Sequence, residues 1–435
     1  MITIYSDTVS ERLLFTLDFI FKERGVAYKV INDFKKFQSL EEPKLCYSDY
    51  PDADGLQIFP SRLLFDENID LTIEKSIELV NWEGIEVLSF YGIPDILSSI
   101  FYFLSDYTNQ LGKERDEHNR AQGSLSLAAK FNLHDKLVVE RWSEAFLQKL
   151  KNNHFRFESK KLNFEWIPSF DIDNSFAYKL KDGMRAYMSR AKDRLKGDRK
   201  RRIERQYVLS GEKKDPYDTY DYILSLKEHG LKPILFYLLG DYGKFDRNIA
   251  WNDVRHMRHI RNLSREVEIF LHPSYKSNYY FSLLVDEKKR LESIILKDVV
   301  KSRQHFLKLV VPTSYNQMLK AGFTEDYSAG YADLYGWRLG TARPVHFFDL
   351  KKNYKTSLVL HSIAYMDGTL NQYLGLSINQ AKLVVAQLFD ECREYGGEFI
   401  SLWHNETLGD YGIWKGWRSV HDSMIELNKN AKNRT

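Results

Sequence analysis

Cysteine is nearly absent from this sequence, which has 435 residues and two cysteines, Cys46 and Cys392. Two cysteines so far apart predict neither a disulfide framework nor a zinc site built from thiolates. Long apolar runs are also lacking: the longest, 234–239, is far shorter than the roughly 20 residues that cross a bilayer. Residues 1–7 lack the basic and apolar segments of a secretory signal. We therefore expect a cytoplasmic location, and peripheral contact with a membrane stays open.

Neither sign of charge dominates. Lysine and arginine total 63, aspartate and glutamate total 60, and the formal charge is +3, which gives no global argument for nucleic-acid binding. Hydrophobic residues make up 43% of the chain and aromatic residues 14%, enough for a sizeable core. Most aromatic side chains are expected in that core, although their flat rings also suit stacking on sugars. Length and composition together predict a folded protein of more than one domain.

The sequence pattern divides the chain into two regions. Residues 1–150 combine helical and short strand-like segments without catalytic spacing, which predicts a smaller α/β N-terminal domain. The polar and charged stretch 151–163 is the predicted linker. Over 164–425, strands alternate with helices, which predicts a parallel sheet, either open or closed into a barrel. The clearest predicted elements are helices at 10–22, 96–111 and 378–395, and strands at 232–239, 267–271, 357–365 and 398–403.

One segment, 185–205, stands apart because it holds ten basic residues against Asp193, Asp198 and Glu204. If it is a basic helix, it suits contact with anionic lipid or with a polyanionic glycan, and it equally suits an ordinary solvated helix face. Few aromatic residues interleave the basic ones, which counts against stacking on the bases of single-stranded nucleic acid. We expect no nucleic-acid partner.

Polar side chains recur directly after predicted strands. Asp171 and Asp173 follow the aromatic-rich run 164–170, and His272 ends a later strand. Because the carboxyl ends of parallel strands meet at the mouth of a barrel, such clusters predict a ligand or metal site there. Each cluster also has a structural interpretation: an Asx turn, a core histidine, or an arginine paired with a buried carboxylate. The remaining clusters are 302–306, 326–328 with 337–344, and 403–406.

The order of these motifs resembles that of the polysaccharide deacetylase family, the NodB-homology group of carbohydrate esterases. The motifs are Phe-Asp-Ile-Asp-Asn at 170–174, Leu-His-Pro-Ser-Tyr at 271–275, Ser-Arg-Gln-His-Phe-Leu at 302–307 and Trp-His-Asn-Glu at 403–406. They are most similar to a divergent branch whose members carry an uncharacterised N-terminal domain. The resemblance covers residues 165–410 and implies a distorted barrel of seven β/α units.

The resemblance also implies an activity, the metal-assisted removal of an N-acetyl group from an amino sugar. Asp171 would be the general base, Arg303 would orient it, and His404 would be the general acid. Asp173 and His272 would bind a divalent metal, usually zinc in the family, and His305 could supply a third ligand. The implied substrate is an N-acetylated glycan, such as a cell-surface polysaccharide, or a lipid-linked sugar. The residues expected to contact substrate are Tyr275, Lys276, Asp326, Trp337, Arg343 and Asn405.

Three features depart from the family pattern. Ile172 separates the two aspartates, Lys276 stands where the family has its second ligand histidine, and no proline lies near Arg303. A charged ammonium group does not ligate a metal, so Asp173 and His272 alone fall short of the three protein ligands common in catalytic zinc sites. The alternative hypothesis is a catalytically altered barrel that binds glycan without hydrolysing it, or that uses a metal-independent reaction.

Overall fold

The computed structural model describes residues 1–50, 55–112, 114–182 and 199–432, together with the single positions 187, 191, 194 and 195. The first part of the predicted basic helix, including Arg185, Arg190 and Lys192, therefore lies outside the described residues. Its second part is helical over Arg199–Ser210.

The described part of the N-terminal region contains a parallel sheet and an antiparallel sheet. In the first, β1 (Ile2–Ser6) lies between β2 (Tyr28–Ile31) and β3 (Lys44–Tyr47), and β4 (Leu56–Ile58) extends the sheet beside β3. The second sheet consists of β5 (Glu78–Trp82), β6 (Ile85–Phe90) and β7 (Ile93–Pro94). The helices of this region are Glu11–Phe21, Phe34–Gln38, Ile96–Leu104, Tyr107–Gln110, Leu127–Lys130 and Val138–Asn152, with 3-10 turns at Ile73–Lys75 and Gly123–Leu125.

The helices of this region show that a local signal can set a helix boundary and that a tertiary contact can override a local signal. Ser10 caps the helix Glu11–Phe21 by accepting a hydrogen bond from the backbone N–H of Leu13, the usual role of serine at this position. The predicted single helix 96–111 is instead two short helices. Asp106 separates them with a φ of 53° in the left-handed region, and its carboxylate pairs with an arginine of the barrel. A contact distant in sequence therefore ends a helix that its own apolar pattern would continue.

In the part of the chain that the structure describes, seven parallel strands close into a ring. Its first four members are β8 (Phe164–Ile172), β9 (Ile234–Leu238), β10 (Glu268–His272) and β11 (Lys301–Ser302). The ring continues through β12 (Glu325–Ala329), β14 (Tyr354–Met366) and β15 (Gly397–His404), and β15 pairs with β8. β13 (Val345–Asp349) pairs antiparallel with β14, outside the ring. The predicted fold class, a distorted (β/α)7 barrel with a smaller α/β N-terminal region, is confirmed.

Helices cover the outside of this barrel. Strand β9 is buried along all five residues, the continuous apolar pattern typical of parallel strands covered on both faces. The longer helices are Arg199–Ser210, Tyr220–Ser225, Val254–Leu263, Phe281–Ile295, Thr313–Lys320, Ile378–Tyr395 and Arg418–Lys432. Short helical turns are Leu226–His229, Lys276–Asn278, His305–Leu307, Thr369–Tyr373, Thr407–Gly409 and Gly412–Trp414.

The hydrophobic core continues from the N-terminal region into the barrel. Phe348 of β13 packs against Phe15 and Phe101, with ring centroids 5.2 Å apart in each pair. The predicted linker is also packed, because Phe155 is buried and the backbone N–H of Lys160 donates to the carbonyl of Arg24. Each fully buried aromatic or aliphatic side chain contributes about 1.5–3 kcal/mol, so the two regions stabilise each other.

Among the described residues, no helix combines the length and the apolar character that crossing a bilayer requires.

Candidate active site

A carboxylate and two imidazoles meet at the carboxyl ends of neighbouring barrel strands. Asp173 follows β8, His272 ends β10, and His305 lies in the turn after β11. One ligand-type atom from each lies within 4.8 Å of the others. An oxygen of Asp173 is 3.2 Å from Nε2 of His272, and its other oxygen is 3.4 Å from Nε2 of His305. These three residues, called the metal group below, form a donor set that suits zinc and similar divalent ions.

The orientation of both imidazoles fits a cation between them. Nδ1 of His272 lies 2.6 Å from the carbonyl oxygen of Arg303, and Nδ1 of His305 lies 3.0 Å from a carboxylate oxygen of Asp246. A ring nitrogen beside such an acceptor carries the proton, so a neutral ring directs the Nε2 lone pair at Asp173, as in most metal-binding histidines. Nε2 of His272 and Oδ1 of Asp173 are both buried and lie 3.2 Å apart, and neither atom has a hydrogen bond of good geometry with a described residue. A bound cation would satisfy both atoms.

The charges around the metal group favour a cation. Burial would lower the pKa of His305, but the carboxylates of Asp173 and Asp246 raise it to about 9. Conversely, burial would raise the pKa of Asp173, but His305, His272 and His404 hold it well below its usual range. The negative charge that attracts a proton to His305 would equally attract a divalent ion, which competes with that proton.

Asp171 lies on one side of the metal group and is fixed by Arg303. Both side chains are buried, and Nη1 of Arg303 donates to Oδ1 of Asp171 over 3.0 Å. The same guanidinium donates to Oγ of Ser169 and to the carbonyl of Tyr327, and lies over the ring of Phe236. The second oxygen of Asp171 faces the metal group and lies 3.6 Å from Nε2 of His272. A charge-assisted, buried bond of this kind fixes the orientation of the carboxylate.

His404 lies on another side of the metal group and is fixed by Asp367. Its Nδ1 is 2.9 Å from one oxygen of Asp367, and the other oxygen accepts hydrogen bonds from the His404 backbone and from Thr407. Nε2 of His404 is 3.9 Å from an oxygen of Asp173. Burial would lower the pKa of His404, but Asp367, Asp173 and Asp171 raise it well above its usual value. The direction of this shift favours the protonated ring, whose Nε2–H is available as a proton donor.

Three of the residues expected to contact substrate lie in loops at the same end of the barrel. Asn405 is buried and donates to the carbonyls of Asn174 and Tyr217, so it holds loops together. Tyr275 is largely buried, with 9% of its surface exposed. Lys276 has an exposed side chain, and the third member of the metal group is His305.

Asp326, Trp337 and Arg343 are buried in other surroundings. Asp326 accepts hydrogen bonds from Ser302 and Ser328. Trp337 has 1% of its surface exposed. Arg343 lies over the ring of Phe19 at the contact with the N-terminal region. Side chains enclosed in this way are not accessible to a glycan, so substrate contact does not fit their placement.

Sequence reasoning missed two carboxylates that orient the site. Asp367 follows β14 directly, so the rule that identified Asp171 and His272 would have identified it too. Asp246 lies eight residues beyond the end of β9, inside a loop, and no spacing marks it. The turn around Arg120 of the N-terminal region, which also reaches the site, has no sequence signal either.

Comparisons with known proteins add the following. Residues 2–155 match the model of a family of unknown function, DUF7033. No curated protein matches the chain.

Solved structures of polysaccharide deacetylases resemble the chain weakly. A putative polysaccharide deacetylase from Mycobacterium smegmatis is 14% identical with a TM-score of 0.38, over 62% of this chain and 92% of that one. The polysaccharide deacetylase Bc1974 from Bacillus cereus is 11% identical with a TM-score of 0.28, over 61% and 86%. IcaB from Ammonifex degensii is 12% identical with a TM-score of 0.22, over 39% and 85%. Similarities this low do not establish an activity for the chain.

Proposed function

We propose that the chain is a metal-dependent carbohydrate deacetylase that removes an N-acetyl group from an amino sugar of a glycan. One observation carries the proposal above all. Asp171, held by Arg303, and His404, held by Asp367, lie on two sides of the metal group at the mouth of the barrel. Hydrolysis of an amide needs a proton acceptor, a proton donor and stabilisation of negative charge on the carbonyl oxygen. Asp171 would be the acceptor, His404 the donor, and an ion held by the metal group would stabilise the negative charge.

Asp173, His272 and His305 would hold the ion, and two imidazoles with one carboxylate form a ligand set of catalytic zinc sites. A divalent ion there would polarise the acetyl carbonyl and lower the pKa of water. Lys276 has no part in this set, because a charged ammonium group does not ligate a metal, and its side chain is exposed.

Asp171 would accept the proton of the attacking water, and Arg303 would hold its carboxylate in the orientation for that step. The water oxygen adds to the acetyl carbon and a tetrahedral intermediate forms. Nε2 of His404 then donates its proton to the amine nitrogen as the C–N bond breaks. The products are acetate and a free amino sugar. Asp171 has gained one proton and His404 has lost one, and exchange with solvent restores both.

The test is acetate release from N-acetylated chitooligosaccharides by the purified chain, with zinc and after chelation. Asp171→Asn and His404→Ala should each reduce the rate by about 10²–10⁴-fold, the range typical of a general base or acid. Matched controls are Asp390→Asn and His346→Ala, which replace exposed residues and should leave the rate unchanged. Wild-type rates in both site variants would contradict the assigned roles. Oligosaccharide binding without acetate release would support a glycan-binding barrel instead.

The place of action is part of the proposal: the cytoplasm, with peripheral contact with a membrane that presents a lipid-linked sugar. This contact is supported by the exposed basic side chains of Arg199, Lys200 and Arg202, which suit an anionic lipid surface. The chain should sediment with phosphatidylserine vesicles at low salt and less so at high salt. Absence of sedimentation at low salt would remove the membrane contact and leave a free glycan as the substrate.

A further inference from the structure

The N-terminal region reaches the mouth of the barrel through the turn 114–121, called the strap below. Asp116 organises the strap by accepting hydrogen bonds from the backbone N–H groups of His118 and Arg120, at 2.9 and 2.8 Å. Its second oxygen accepts a hydrogen bond from Nε of Arg120 over 2.7 Å. A bridge between Arg115 and Ala121 closes the turn. The guanidinium of Arg120 is thereby held by its own turn and directed towards the barrel.

Arg120 joins two loops of the candidate active site. Its Nη1 donates to the backbone carbonyl of Phe306 over 3.0 Å, and its Nη2 donates to the hydroxyl of Tyr373 over 2.9 Å. Phe306 directly follows His305 of the metal group. Tyr373 ends the helical turn Thr369–Tyr373, which follows Asp367, the partner of the proposed acid. A single buried side chain from the N-terminal region therefore connects the loop of a metal-type ligand with the loop that orients the proposed proton donor.

The loop that Arg120 holds has an unfavourable backbone conformation. Phe306 and Leu307 have φ values of 65° and 51°, in the left-handed region that bulky non-glycine residues rarely adopt. The ring of Phe306 contacts the ring of His305 at 4.7 Å and the ring of His118 at 4.9 Å. Lys308, at the end of the loop, donates to the carbonyl of His118. The strap thus contacts both ends of the turn whose geometry sets the position of His305.

We propose that Arg120 is a positioning residue for the metal group, which makes the N-terminal region part of the catalytic unit. The inference rests on the proposed function, because it assigns that region a role in the same site. A guanidinium is needed here, since the three acceptors, on Asp116, Phe306 and Tyr373, lie in different directions around one planar fork. The ammonium group of a lysine is a compact charge that does not reproduce that fork.

The test is titration of the metal-free full chain with Co²⁺, whose absorption bands report both affinity and coordination geometry. Arg120→Met and Arg120→Lys should each weaken Co²⁺ binding by about 10–100-fold, the usual effect of losing a residue that orients a metal ligand. Tyr373→Phe removes one of the two bridging bonds and should have a smaller effect. Arg115→Met is the matched control, because Arg115 lies on the same strap but donates to the carbonyls of Asn119 and Leu309, which lie outside residues 305–308. This control should bind Co²⁺ like the wild type.

A second measurement, hydrogen exchange of the metal-free chain, separates this inference from the proposed function. Arg120→Met should speed exchange of the backbone amides over 305–308, and Arg115→Met should leave it unchanged. If the wild-type chain binds no Co²⁺ but Arg120→Met still speeds exchange, the metal-dependent function is overturned and the positioning of the loop by Arg120 stands. Wild-type Co²⁺ affinity and exchange in Arg120→Met would overturn the inference while the function stands. Equal weakening by Arg115→Met would also overturn it, because the effect would then be general destabilisation.

Discussion

A buried ion pair between the N-terminal region and the barrel offers a sharp test of whether the two form one structural unit. Arg338 of the barrel contacts Asp106 through Nη2 at 2.6 Å and through Nε at 3.2 Å, and each side chain is 2% exposed. The guanidinium also lies 5.2 Å from the ring centroid of Tyr331. Asp106 accepts a further hydrogen bond from the amide of Asn109. Arg338→Met would therefore leave a buried carboxylate whose remaining side-chain hydrogen bond comes from the neutral amide of Asn109.

The expected loss follows from that enclosure. Breaking a buried ion pair by removing one partner costs about 3–5 kcal/mol, because the other charge stays uncompensated. Domains are stable by only about 5–15 kcal/mol, so the loss would be easy to measure. In the double variant Arg338→Met/Asp106→Asn, no uncompensated charge remains, and much of the stability should return. Lys429→Met breaks an exposed ion pair with Glu426 and should cost less than about 1 kcal/mol.

The assay is urea unfolding followed by tryptophan fluorescence and by circular dichroism. If the two regions share one core, both signals should change in a single transition, and Arg338→Met should lower its midpoint without splitting it. A loss below about 1 kcal/mol would refute the reasoning about the buried charge. Separate transitions for the N-terminal region and the barrel would contradict the view that they stabilise each other.

Two further predictions concern carboxylate–histidine contacts. Burial would lower the pKa of His361, but Glu325 and Glu398 raise it. The charged ring of His361 therefore stabilises the fold fully below the unfolded pKa of about 6.5. This stabilisation is lost as the pH rises through the higher pKa of the folded state. His361→Gln should thus cost about 1–3 kcal/mol in urea unfolding near pH 6 and less in alkaline solution, and a pH-independent loss would contradict this. Asp246→Asn retains an oxygen for Nδ1 of His305 and removes only the charge, so NMR titration should place the pKa of His305 below about 9, with about tenfold weaker zinc binding. An unchanged pKa would contradict that assignment.

Where local signals agreed, the sequence predicted the fold well. The helix Ile378–Tyr395 has the predicted bounds, because Ser377 and Gln380 form a capping box at its start and Gly396 follows its end. The predicted strand at 398–403 corresponds to β15, Gly397–His404. Tertiary contacts account for the disagreements, as in the helix interrupted at Asp106. The sequence predicts short strand-like segments in the N-terminal region, but no local signal shows how they pair into sheets.

The candidate site shows the same division. The clusters around Asp171, His272, Arg303 and His404 lie within two residues of the ends of ring strands, and the structure brings them together. The sequence pattern predicts the cluster 337–344 at the same mouth, but β12 ends at Ala329, and Trp337 and Arg343 contact the N-terminal region instead. Polar clusters therefore predict site residues only where they directly follow a strand of the barrel. The contribution of Arg120 depends on how the two regions pack, which no sequence spacing encodes.

The most direct test of the account is an anomalous diffraction measurement at the zinc absorption edge on crystals grown with zinc. The account predicts one strong peak at the mouth of the barrel, about 2.0–2.2 Å from an oxygen of Asp173 and from Nε2 of both His272 and His305. If zinc gives peaks at other positions in the crystal but none between these three side chains, the account is contradicted.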